Sequence, residues 1–143
     1  MTDARQVAAE ALAAFNAHDE VRIRATYSAD VVFEAPGDVR LEGPTAATEY
    51  AMRWLRAFPD ARLEVHRDVI AGDTVAQEFT FAGTHENTLV GPEGEIPATH
   101  RSLTGRGVQV FVIADGKIRE EHLYFDQVQV LTQLGLMPEP TTA

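Results

Sequence analysis

Residues 101–125, RSLTGRGVQVFVIADGKIREEHLYF, decide the fold. Asp115-Gly116 stands between two runs rich in β-branched and aromatic residues, and a two-residue type I′ turn needs positive φ at both central positions, which this pair tolerates. The segment therefore reads as a hairpin of two long strands, 101–114 and 117–125. Such a turn pairs Ala114 with Lys117. Ideal alternation then sets Phe111 opposite Glu120, Gln109 opposite His122, Gly107 opposite Tyr124 and Gly105 opposite Asp126 on one face. The other face carries Arg106, Val108, Val110 and Val112 with Arg119, Glu121, Leu123 and Phe125. Neither face is wholly apolar.

Upstream, the same grammar predicts strands 62–70 and 74–85 about Gly72-Asp73, then a loop of about a dozen residues before the quoted hairpin. Two long hairpins make a meander of four strands. Val31-Val32-Phe33-Glu34-Ala35 reads as a further strand stopped at Pro36-Gly37-Asp38, with Val39-Arg40-Leu41 as its return.

The rest is helical. Val7, Ala8, Ala11, Leu12 and Phe15 recur at helical spacing within 3–17, with Thr2 as a capping type, and a second short helix is predicted from Asp19 to Tyr27. Gly43-Pro44 opens a third, since proline at the first helical position forfeits no hydrogen bond. Along it Ala47, Tyr50, Ala51, Trp54 and Phe58 form the inner stripe, and Pro59-Asp60 ends it. Asp126 caps a last helix that Gly135 terminates, with Gln129 at the capping-box position and a loose tail over 137–143. Helices followed by a long meander predict a single α+β domain over 1–143, in which a curved antiparallel sheet packs on three N-terminal helices. Those helices are too short to fill the concave side of such strands, and an internal pocket is expected.

Composition narrows the function. The chain has 143 residues, no cysteine and a formal net charge of −10. Disulfides, thiolate metal sites and cysteine nucleophiles are excluded, and the acidic balance disfavours nucleic acid and anionic membranes as partners. Met1-Thr2-Asp3 lacks the basic start of a secretory signal, which points to a cytoplasmic protein. No histidine pair has ligand spacing, so no metal is expected, and neither a nucleophile elbow nor a phosphate-binding glycine loop is present.

On the hairpin's first face, Gln109, His122, Tyr124 and Asp126 lie in a row suited to acid–base work on a ligand. The competing reading makes His122 and Tyr124 half-buried residues of a dimer-facing sheet surface and Asp126 a helix cap. His85 is placed at the pocket mouth, and His66 on a solvated polar face.

Phe15-Asn16-Ala17-His18-Asp19, Leu41-Glu42-Gly43-Pro44, Gly83-Thr84-His85, Pro97-Ala98-Thr99-His100-Arg101, Asp115-Gly116-Lys117-Ile118 and Tyr124-Phe125-Asp126-Gln127, leading to Gln133-Leu134-Gly135, follow in an order that resembles the SnoaL-like polyketide cyclase family. That family belongs to the nuclear-transport-factor-2-like superfamily, and the likeness covers nearly the whole chain. It implies a cone-shaped α+β barrel with a deep pocket, no cofactor, and dimerisation through the outer face of the sheet. It also implies ring closure of an aromatic polyketide by an intramolecular aldol step, with a pocket aspartate as acid/base and a histidine nearby. Aligned on Asp115-Gly116-Lys117-Ile118, the aspartate falls at Leu123 and the histidine at Gln109. The cyclases' pocket tyrosine and asparagine fall at Phe15 and Tyr50. Ideal alternation puts positions 109 and 123 on opposite faces, and a β-bulge after Glu120 would reconcile them, so His122 and Leu123 are alternatives for the inward position.

The sequence thus predicts a pocket for a small hydrophobic, carbonyl-bearing molecule, with cyclase, isomerase or hydrolase chemistry. His122 and Asp126 are the acid–base candidates. Gln109, Tyr124 and Tyr50 are polar positioners, and Phe15, Trp54, Phe79 and Phe111 form the apolar wall. The alternative is a ligand-binding or dimerisation module that has lost the cyclase pair.

Overall fold

The first helix begins where Asp3 can cap it. Its Oδ1 accepts from the Gln6 backbone N–H at 2.8 Å while its own N–H donates to Gln6 Oε1 at 3.3 Å, a reciprocal capping box. The computed structural model describes residues 3–92 and 94–138, so Thr2 and the expected tail residues 139–143 lie outside the described residues. Helix α1 spans Ala4–Asn16 and α2 spans Glu20–Ala25, the latter capped by Asp19. Strands β1, Tyr27–Ala35, and β2, Val39–Glu42, precede α3, Pro44–Ala57. Gly43 takes φ 89°, a left-handed value that glycine reaches without strain, and Pro44 follows at the first helical position.

The meander then runs β3, Arg62–Ala71; β4, Thr74–Thr84; β7, Ser102–Ala114; and β8, Lys117–Phe125. Between β4 and β7 the predicted loop contains a small hairpin, β5, Leu89–Gly91, and β6, Gly94–Ile96. Helix α4, Gln127–Gln133, comes last. The main sheet has the order β2-β1-β8-β7-β4-β3. It is mixed rather than wholly antiparallel, because β1 runs parallel to β8. The path through α3 and the meander lets β1 meet β8, which the local pattern of either strand could not reveal.

Helices α1 to α3 cover one face of the sheet, and Val31, Phe33, Val75, Phe111 and Ile118 reach into the core between the layers. Asn16 docks α1 on the edge strand β3, accepting from the Leu63 N–H at 2.8 Å and donating to the Leu63 carbonyl at 3.0 Å, as a paired strand would. Helix α4 is fastened to β7 by Gln133, whose side chain exchanges two 2.8 Å hydrogen bonds with the Thr104 backbone.

The β7–β8 turn has positive φ at both Asp115 (52°) and Gly116 (73°), as type I′ requires, and Ala114 pairs with Lys117. The register then slips: Ile113 faces Ile118, but Val112 faces Glu120, leaving Arg119 as the extra residue of a bulge. The bulge lies before Glu120, not after it. Every side chain beyond it changes face relative to the ideal pattern. Phe111 therefore pairs with Glu121 and Gln109 with Leu123, while Val110 pairs with His122 and Val108 with Tyr124.

Candidate active site

Between the helices and the concave face of the sheet lies a cavity that offers about 110 Å³ to the centre of a water-sized sphere. Its wall is aromatic. Trp54 of α3 is the hub, 5.7 Å from Phe81 and 5.5 Å from Phe125 between ring centroids, both edge-on, while Phe33 and Tyr50 meet at 4.7 Å. These are favourable offset and edge-to-face arrangements. Phe79 closes over Gly107, where an added Cβ would stand 2.6 Å from the ring, so the strand needs glycine there.

Of the residues expected to line the pocket, Phe15, Tyr50, Trp54, Phe79, Gln109 and Phe111 do so. His85 does not. It is fully buried behind the cavity wall, stacked on Phe58 at 5.2 Å, with Nδ1 3.2 Å from the Thr99 N–H that donates to it. Its main chain bonds both Arg101 and His100, so it clasps the loop that holds β5 and β6. Burial lowers its proton affinity and keeps the imidazole neutral. His66 is exposed on β3, as its polar neighbours suggest.

The Arg119 bulge moves the acid–base candidates out of the cavity. His122 points to the outer face, its Nδ1 2.9 Å from Glu34 Oε1, beside a shallow groove along the β1–β2 turn. Tyr124, 58% exposed, lies on the same outer face. Asp126 caps α4, accepting from the Val128 and Gln129 N–H groups at 2.9 and 3.1 Å. The expected row of Gln109, His122, Tyr124 and Asp126 is therefore divided, with Gln109 alone inside.

What enters in their place is Glu121. It is buried, lines the cavity, and is the one carboxyl among the described lining residues. The Tyr27 hydroxyl donates to its Oε1 at 2.9 Å. Burial pushes the Glu121 carboxyl up to about 7, the Tyr27 hydrogen bond opposing the rise only in part. Burial likewise raises the Tyr50 phenol to about 12 and holds Tyr27 well above its ordinary value. Gln109 Nε2 donates to Gln77 Oε1 at 3.3 Å, leaving its second N–H available to a ligand. Sequence reasoning passed over Glu121 and Tyr27. The signal was the face conflict itself, because a bulge ahead of Glu121 that brings positions 109 and 123 together also turns 121 inward.

A carboxyl with this environment makes stability depend on pH. Its folded value of about 7 exceeds the ordinary 4.5, so the stabilising state is the protonated one. That contribution is complete below about pH 4.5, declines as pH rises through 7, and amounts to on the order of 3 kcal/mol. Urea unfolding at pH 4.5, 6 and 8 is expected to show Glu121→Gln gaining on wild type across this window. A constant difference between the two proteins would contradict it.

The family model for the SnoaL-like polyketide cyclase matches residues 5–134. The chain belongs to the SnoaL-like polyketide cyclase family. This SnoaL-like protein is 36% identical over 103 residues to aklanonic acid methyl ester cyclase of Streptomyces peucetius, covering 71% of the chain and 67% of that relative. It is 36% identical over 95 residues to nogalonic acid methyl ester cyclase of Streptomyces nogalater, covering 65% of the chain and 67% of the relative. Among solved structures, AclR of Streptomyces galilaeus superposes with a TM-score of 0.81 at 26% identity, over 94% of this chain and 97% of that one. The fold is of the nuclear-transport-factor-2-like type. Within this SnoaL-like fold, Glu121 and Leu123 are two positions apart on one face of β8, so the carboxyl of this cavity sits one inward position away from where the family resemblance puts an aspartate.

Proposed function

We propose that this SnoaL-like protein closes a ring in a hydrophobic, carbonyl-bearing, polyketide-like metabolite by acid–base chemistry without a cofactor, and that Glu121 is its proton acceptor. The observation that carries the reading is a buried carboxyl of near-neutral proton affinity, the one carboxyl among the described lining residues of a largely apolar, aromatic cavity. Glu121 and Gln109 are diagonal neighbours across β7 and β8, a spacing of about 7–8 Å between Cα atoms that can seat one ketone between them.

Glu121 Oε2 takes the proton from the carbon beside the carbonyl, and the free Gln109 N–H holds the resulting enolate oxygen. The enolate carbon then attacks a second carbonyl of the same molecule. One C–C bond forms, the attacked oxygen becomes an alkoxide, and Glu121 returns the proton to it. Substrate and product are isomers. The aromatic walls favour flat ring systems, and the two relatives' own substrates are methyl esters of polyketide acids by their names.

The same proposal makes the working unit a cytoplasmic homodimer. The outer face of the sheet carries Val108, Val110 and Val112 with exposed Val69 and Tyr124, an apolar stripe that a second copy could cover. The lack of cysteine suits a reducing compartment.

Thermal-shift screening against polycyclic ketone methyl esters, followed by incubation of each hit without added cofactor, is expected to yield a product of unchanged mass and altered proton NMR spectrum. A second reading, a ligand-binding module without turnover, is favoured by one observation: Leu123 and Gln109 stand where the family resemblance puts the aspartate and histidine. Saturable binding with no isomerisation of any bound ketone would select it.

A further inference from the structure

We propose that Tyr27 is a positioning residue for Glu121, holding Oε1 so that only Oε2 can exchange a proton with a bound ligand. The inference rests on the reading of Glu121 as proton acceptor. It goes beyond that reading by assigning the second residue of the proton-transfer unit.

The geometry is built for it. Tyr27 opens β1 and pairs with Ile118 on β8, while the next pairing of the two strands is Val32 with Glu120. The extra length of β1 and the Arg119 bulge are taken up at the same level of the sheet. This brings a phenol from the register of Ile118 within 2.9 Å of a carboxyl three residues further along β8. The backbone below is pinned on both sides, since the Ile118 N–H donates to the Thr26 carbonyl at 2.8 Å and Lys117 Nζ to the Ala25 carbonyl at 2.6 Å. Tyr27 is itself buried and lines the cavity. Its hydroxyl has no other acceptor among the described residues, and Glu121 Oε2 receives no hydrogen bond from them. The carboxyl is therefore asymmetric, with one oxygen spoken for and the other open.

The electrostatic surroundings isolate this pair. The titratable groups facing Glu121 are Tyr27 from β1 and Tyr50 from α3. The lining residues of α1, α2, β4 and β7 include Phe15, Ile23, Phe79 and Phe111, and none of them is charged. With no cation among the described lining residues, the phenol is the donor that stabilises the carboxylate. A hydrogen bond to an ionised acceptor is about twice as strong as a neutral one. Tyr27 thus restrains the rise that burial imposes and keeps the group able both to accept and to return a proton near neutral pH.

The test needs no substrate. Protein labelled with ¹³C at the glutamate side-chain carboxyl is titrated by NMR, and the Glu121 resonance is assigned by its loss in Glu121→Gln. Wild type is expected to titrate with a midpoint near 7. Tyr27→Phe should raise that midpoint by about one pH unit. Placing 3-fluorotyrosine at position 27 keeps the ring's shape but makes the phenol a stronger donor, and should lower the midpoint. The opposite signs are the signature of a positioning hydrogen bond, and the fluorinated protein retains the packing if Tyr27→Phe fails to fold. A midpoint unmoved by either change would overturn the proposal. Unchanged ring closure in Glu121→Gln would instead overturn the reading of Glu121 as base while leaving the titration result intact.

Discussion

Glu121→Gln is expected to lower the turnover number for ring closure by about 10²–10⁴-fold, the usual contribution of a positioned general base. Glutamine keeps the volume and can still accept from the Tyr27 hydroxyl, which donates to Oε1 at 2.9 Å in wild type, so the cavity and ligand affinity should persist. The loss should therefore fall on kcat with little change in KM, the pattern of an interaction needed only for proton transfer. The same variant should fold at least as stably as wild type above pH 7, because it removes the demand to bury a carboxylate whose affinity for the proton is raised to about 7. His122→Ala gives the contrast. Its ring lies on the outer face against Glu34, so turnover should stay within about twofold of wild type, surface changes of this kind being worth only tenths of a kcal/mol. Steady-state kinetics of both variants on a converted ketone decide the matter. Full activity in Glu121→Gln, or collapse in His122→Ala, would reverse the assignment.

The largest expected effect on stability belongs to Phe58→Ala. Phe58 is wholly buried and its ring touches three others, Trp54 at 5.8 Å, Phe81 at 5.4 Å and His85 at 5.2 Å between centroids. Truncating such a residue costs about 3–5 kcal/mol, which is a large share of the roughly 5–15 kcal/mol that stabilises an ordinary domain. The damage should spread in two directions. Trp54 and Phe81 line the cavity and lose their backing, so ligand affinity should fall as well. His85 loses its stacking partner, and with it the clasp on the β5–β6 loop weakens. A urea midpoint shifted by an amount worth less than about 1 kcal/mol would mean that the neighbouring rings close the space.

Much of the architecture was legible in local signals, because those signals are themselves physical requirements. Asp115-Gly116 could be read as a type I′ turn since so few residue pairs reach positive φ twice, and Gly43-Pro44 as a helix start for similar reasons. The parallel β1–β8 pairing was not legible, since it joins segments some ninety residues apart and leaves no periodic trace in either. The site divides along the same line. Phe15, Tyr50, Trp54, Phe79 and Phe111 announce themselves by size and spacing, and they do line the cavity. Glu120 and Glu121 are chemically identical neighbours, yet one faces outward with Val112 and the other is buried with Phe111. Nothing in side-chain type separates them. Only the register does, and a bulge is settled by the fit of whole strands rather than by the residue that forms it.

Arg119 therefore has a meaning for this strand that its own exposed side chain does not convey. Beyond the turn, β8 is written twice over: Glu121, Leu123 and Phe125 spell one lining, and Glu120, His122 and Tyr124 spell another. Which of the two a ligand meets is chosen by one unpaired backbone unit. Were Arg119 itself to pair with Val112, Glu120, His122 and Tyr124 would take the inward places, whereas deleting Arg119 would leave Glu121 beside Phe111. The outer face of the hairpin is thus a second lining that register alone keeps outside the cavity.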